Sequence, residues 1–179
     1  MVKAPTVRPP GVRLIAWMWI LTGVMNAYSA VAGWFGAGMV RGLLGQAQLS
    51  PHTTVALALP LFMAHHADAL GVFQLGSAAL AILAGIDFLR LRAWARACLE
   101  ALSWLSLAYI LAGAVYWWLA WSAITAGGSV AGVAVDLAPY RTPGLVLGCV
   151  LVLAFAIPMG LVIRTLRGSA VRCAVSAAG

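Results

Sequence analysis

Four long stretches without a single charged side chain constrain this chain more than any other feature. They run from Leu14 to Val40, Ala69 to Ile86, Ala101 to Val135 and Thr142 to Ile163. A helix needs about 18 to 20 apolar residues to cross the hydrocarbon of a bilayer, and each stretch reaches that length. The expected fold class is therefore all-α, a polytopic membrane protein built as a bundle of four transmembrane helices. An extra interfacial helical segment is expected between helices one and two. Only 8% of the 179 residues are charged and the mean hydropathy is +1.00, whereas soluble domains carry roughly a quarter charged residues. Folding in water is excluded, and too little polar chain remains for a separate soluble domain.

The expected organisation is a single membrane domain over 1–179. Helix one covers about 13–36, an outer interfacial segment 37–68, helix two about 69–89 and helix three about 97–124. An outer loop at 125–141, helix four at about 142–166 and a tail at 167–179 complete it.

The charges that remain give the orientation. The net charge is +7, but its distribution matters more than its total. Lys3, Arg8 and Arg13 precede the first span, Arg90, Arg92 and Arg96 lie between the second and third, and Arg164, Arg167 and Arg172 follow the fourth. Only Arg41 and Arg141 fall on the other side. The positive-inside bias then puts both termini and the middle hairpin in the cytoplasm. The basic excess is a topology signal that also attracts anionic lipid headgroups, and nothing in it argues for nucleic acid.

Cys98, Cys149 and Cys173 are odd in number, with no CxxC and no Cys/His cluster. A disulfide framework, a zinc site and an iron–sulfur site all lack support. The basic start, the apolar run from Leu14 and the triplet Ala30-Val31-Ala32 also have the form of a cleavable signal peptide. The run continues through Trp34 and Phe35, so a retained first helix is expected.

Along the chain, Pro5, Pro9, Pro10 and Gly11 predict an irregular lead, since proline does not continue a helix. Trp17, Trp19 and Trp34 suit aromatic anchoring at two membrane interfaces. The outer segment 37–68 is too apolar for an ordinary loop of its length. Met39, Leu43, Leu44 and Leu49 among Arg41, Gln46 and Gln48 predict a short amphipathic helix in the interface. Ser50-Pro51 reads as a helix start. The run after it either lies in the outer leaflet or extends helix two with a kink at Pro60. The short RLRAWAR connection makes helices two and three antiparallel neighbours. Tyr109, Tyr116, Trp117, Trp118 and Trp121 form an outer aromatic belt, and Pro158 is expected to bend helix four.

The segments GIDFLRLRAWAR at 85–96 and IPMGLVIRTLRGSAVRCAV at 157–175 resemble a loose group of small bacterial membrane proteins. In that group a basic tryptophan-bearing hairpin ends the second helix, and a proline precedes a Leu-Arg…Val-Arg tail. The resemblance implies four helices in a bacterial cytoplasmic membrane. It supplies no activity and no catalytic residue.

His65-His66-x-Asp68 is the sharpest candidate site. It reads either as a polar cap at the outer interface or as a source of one axial imidazole, His65 or His66, for a tetrapyrrole, with Asp68 as a supporting polar group. Adjacent helical residues point about 100° apart, so the two histidines are not expected to ligate one metal together. No metal site is expected. Around the hairpin, the spacings Asp87 to Arg90 and Arg96 to Glu100 predict ion pairs.

Gly23 with Ala27, and Gly144 with Gly148, are small residues four apart that let helix backbones approach, and the second pair is expected to mediate association between copies. Thr22, Asn26, Gln74, Ser77, Ser103 and Ser106 read as partners in interhelical hydrogen bonds. The spans Leu14–Val40 and Thr142–Ile163 carry no ionisable acid or base, which disfavours a proton pathway. Nucleophile elbows and phosphate-binding glycine loops are missing.

The expected function is a non-catalytic accessory or scaffolding subunit that packs laterally within a larger bacterial membrane complex. Its expected partners are the lipid bilayer and other membrane subunits, and the sequence requires no cofactor. Two alternatives stay open: a tetrapyrrole-binding subunit of a photosynthetic or respiratory assembly, and a lipid- or small-molecule-handling protein whose outer segment is a lid.

Overall fold

A computed structural model describes residues 11–44, 59, 61–126, 129–130, 133–134 and 137–178. Helix α1 is Gly11–Leu44, α2 Ala67–Leu89, α3 Ala93–Thr125, α4 Arg141–Arg167 and α5 Ser169–Ala178. A two-residue antiparallel ladder separates α3 from α4, pairing Ser129 with Ala134 and Val130 with Val133. A 3₁₀ turn, Ala138–Tyr140, leads into α4. The described residues are thus helical apart from this ladder and the turns between elements. Four of its helices are long and apolar enough to cross a membrane: Gly11–Met39, Ala67–Leu89, Ala93–Thr125 and Ala138–Arg167.

The sequence explains the helix ends unevenly. Helix α1 begins directly after the prolines at 9 and 10 and continues to Leu44. The expected break at Gly36 does not occur. Isolated glycines cost a helix about 1 kcal/mol each but do not remove a hydrogen bond, so Gly36, Gly38 and Gly42 leave the ladder intact. The first eight positions of the expected interfacial segment belong to α1, while 45–58 and Pro60 lie outside the described residues. Residues 61–65 are helical and run into α2, with His66 N–H donating to Phe62 O (3.0 Å) and Leu70 N–H to His66 O (2.9 Å). Helix α4 passes Pro158 without interruption.

Between α2 and α3 the chain reverses in a Schellman arrangement. Leu91 N–H donates to Phe88 O (2.9 Å) and Arg92 N–H to Asp87 O (3.2 Å), which satisfies carbonyls the helix end would leave bare. The left-handed position of this motif usually holds glycine, yet here it holds Leu91 at φ 58°. Its side chain is buried, 5% exposed, among the core residues.

The chain divides into two compact units. The first comprises Met1–Ala30, Val72–Leu107 and Ile157–Gly179, described from Gly11 onwards. It contains the hydrophobic core, in which Ile15, Ala16 and Trp19 meet Ala84, Phe88, Leu99 and Leu166. Close approach of α1 and α2 depends on glycine here: a methyl on Gly23 would come to 2.7 Å from Ile82, and one on Gly85 to 2.7 Å from Ile20. Helix α5 belongs to the same core through Val171 and Val175. Most of the expected tail at 167–179 is therefore a helix. Val171, Ala174 and Val175, at i, i+3 and i+4, supply the apolar face that docks it.

The second unit comprises Val31–Gly71 and Ala108–Ala156. Its buried described residues are all small: Ala37, Ala64, Gly71, Ala120, Thr125, Gly144 and Gly148. Large rings close over them. A methyl on Gly71 would lie 2.6 Å from the Trp34 indole.

Candidate functional site

Phe62, His65 and His66 form a compact aromatic group immediately before α2. The ring of His66 stacks on Phe62 with centroids 4.4 Å apart and planes 24° apart, and its other neighbour is His65, edge-on at 5.0 Å. His66 Nδ1 lies 3.1 Å from the Phe62 carbonyl oxygen. A carbonyl only accepts, so Nδ1 is the donor, and in the neutral form of the ring Nε2 holds the lone pair. All three rings are solvent- or lipid-accessible rather than enclosed.

Asp68 stands exposed in the first turn of α2, where a carboxylate complements the helix dipole. Among the described residues no ion pair joins it to His65, and no group of three or more His, Cys, Asp or Glu side chains is placed to hold a metal ion.

At the α2–α3 turn, Asp87 pairs with Arg90 (3.7 Å) and with Arg92 (3.2 Å). Glu100 pairs with Arg167 of α4 at 2.8 Å rather than with Arg96. Arg96 instead donates from Nη1 to the Leu166 carbonyl oxygen, 3.2 Å away at the end of α4, where helix carbonyls lack intrahelical partners. The spacing of four was correct for a helix, but the partner of each side chain lies on α4.

The Gly144–Gly148 face is occupied from within the chain. Built methyl groups there would collide with the indoles of Trp121 and Trp117 respectively. These glycines thus receive α3, which corrects the expected association of copies through them. Gly23 packs on α2 as described; Ala27 is half-buried. Two of the expected interhelical hydroxyls turn inward on their own helices, Ser77 to Gln74 O (2.9 Å) and Ser103 to Leu99 O (2.7 Å). Such back-bonding satisfies a hydroxyl in apolar surroundings without a neighbour.

An open apolar recess of about 390 Å³ lies beside the 3₁₀ turn, lined by Trp121, Leu137, Tyr140, Pro143, Gly144 and Leu147. Among the described residues its walls bring no carboxylate, imidazole or thiol, and what they offer is mainly apolar contact. Sequence reasoning missed this recess and α5. The recess has no local signal, whereas the i, i+3, i+4 pattern at 171–175 was available. No protein-family model, curated protein or solved structure matches this chain.

Proposed function

We propose that this protein is a four-span component of a bacterial cytoplasmic membrane, with both termini and the α2–α3 turn in the cytoplasm. In this reading it serves as a non-catalytic accessory subunit that packs laterally against other membrane proteins. The observation that carries the reading is the large apolar exterior. Phe35, Tyr28, Leu14, Tyr109 and Phe155 are all more than 60% exposed, and surfaces of this kind are stable only against lipid or protein. The nine-to-two distribution of basic residues supports the orientation. Purification in mild detergent tests the role: stoichiometric membrane partners are expected, and a chain that always migrates alone would refute it.

A second reading rests on His66. Fixing Nδ1–H on a backbone carbonyl is the outer-shell arrangement that orients a ligating imidazole, and it favours His66 over His65 as an axial ligand to a tetrapyrrole. An absorption spectrum of the purified protein tests it, with a Soret or chlorin band lost in His66→Ala. A colourless preparation from a pigment-replete host excludes it. The lid reading rests on 37–68, of which 45–58 and Pro60 lie outside the described residues.

A further inference from the structure

The two compact units differ completely in charge. The first holds nine basic and two acidic side chains, the second two of each, so the whole net charge of +7 belongs to the first. Its two acids, Asp87 and Glu100, are both already engaged.

Within that unit the basic residues are not equivalent. At the α2–α3 turn, Arg90 and Arg92 share Asp87. A second cluster gathers where α4 ends. Thr165 lies 3.2 Å from the position of a Gly11 methyl, which brings the first turn of α1, with Arg13, to this end. Arg96 arrives from α3 through its bond to Leu166 O. Arg164 and Arg167 occupy the last turn of α4 itself. Helix α5, pinned by Val171 and Val175, presents Arg172 on its exposed side. Five guanidinium groups thus meet one carboxylate, Glu100, which Arg167 already takes. Arg13, Arg164 and Arg172 are exposed, and no described carboxylate pairs with them.

We infer that the corner formed by the end of α4, α5 and the start of α1 is a docking surface for acidic phospholipid headgroups. Arg164 and Arg172 are its principal contacts. The inference rests on the membrane reading above. Guanidinium groups recognise phosphate through paired N–H donors, and a bilayer surface supplies the missing anions at the depth where helix ends lie. A topology signal alone predicts something different, namely that any arginine of the first unit contributes equally.

The full-length protein in nanodiscs of phosphatidylcholine alone, or of phosphatidylcholine and phosphatidylglycerol in equal parts, provides the test. Native mass spectrometry reads the retained lipid, and thermal unfolding reads its effect. Acidic lipid is expected to be retained preferentially and to raise the melting temperature, with each contacting arginine contributing roughly fivefold to the preference. Arg164→Gln/Arg172→Gln removes at least a tenfold preference on the same basis, while Arg164→Lys/Arg172→Lys keeps most of it and controls for folding. Arg90→Gln/Arg92→Gln removes the same formal charge and retains the preference. Equal losses in both glutamine variants, or no lipid preference in the unmodified protein, overturn the inference. Extraction of the protein from vesicles by alkaline carbonate would instead refute the membrane reading beneath it.

Discussion

The indole nitrogen of Trp117 donates to the carbonyl oxygen of Gly144 across 3.2 Å. One turn further along α3, Trp121 donates to Tyr140 O (3.3 Å) and Arg141 O (3.1 Å). The two indoles stack at 5.3 Å with planes 9° apart, and each lies against a glycine of α4. Flat contact and hydrogen bonding thus come from the same side chains. Both rings are partly exposed, and in apolar surroundings an indole N–H without such a partner would go unpaired.

Gly144→Ala and Gly148→Ala are expected to destabilise the protein by roughly 1–3 kcal/mol through overpacking. Alanine is the better helix former by about 1 kcal/mol, so the sign of the change is informative. At Gly76 of α2 nothing lies within 4 Å of an added methyl, and Gly76→Ala is expected to leave stability unchanged or raise it. Thermal unfolding in detergent micelles reads all three, and shifts of one sign throughout would contradict the packing described.

Trp19 and Trp117 should respond differently to phenylalanine. Trp19 is 3% exposed and its Nε1 has no hydrogen-bond partner among the described residues. An unsatisfied buried donor costs about 1–3 kcal/mol, so its removal offsets the lost contact area. Trp117→Phe, in contrast, breaks a bond worth about 0.5–1.5 kcal/mol. Unfolding titrations are expected to find Trp19→Phe near the unmodified protein and Trp117→Phe clearly below it.

A double-mutant cycle distinguishes the two partners available to Glu100. Coupling between Glu100→Gln and Arg167→Gln is expected at about 0.2–1 kcal/mol, the range for partly exposed pairs. Coupling between Glu100→Gln and Arg96→Gln is expected to be negligible, since Arg96 is held by Leu166 O. A larger second value would restore the pair inferred from spacing.

Ser103 offers a test of hydroxyl direction. It is fully buried and bonds within its own helix. Ser103→Ala is therefore expected within about 0.5 kcal/mol of the unmodified protein, whereas an interhelical bond would cost about 1–2 kcal/mol on removal. Ser103→Leu overfills the site and is expected to cost about 1–3 kcal/mol in the same unfolding assay.

The four long helices were legible because their signal is local: length, apolarity and the absence of charge are all read along one strand of sequence. Pairings were not, since they depend on which helix stands nearby. The spacing of Arg96 and Glu100 was right for a helix yet silent about Arg167, some seventy positions away. The Gly144–Gly148 motif announced close packing without naming its occupant. The tautomer of His66 was also out of reach, because it depends on a carbonyl four residues earlier facing the ring. Helix α5 was readable in principle from Val171, Ala174 and Val175, but its shortness made it resemble a tail.

Leu91 carries a consequence for what holds the reversal in place. A glycine in its left-handed position would set the reversal between α2 and α3 by local preference, in any fragment containing it. Leucine opposes that conformation by about 1–2 kcal/mol, and its burial in the core that also contains Phe88, Leu99, Leu166 and Val171 offsets that cost. Two of those neighbours belong to α4 and α5. The sharp corner between the second and third helices thus draws part of its stability from side chains that the far end of the chain contributes.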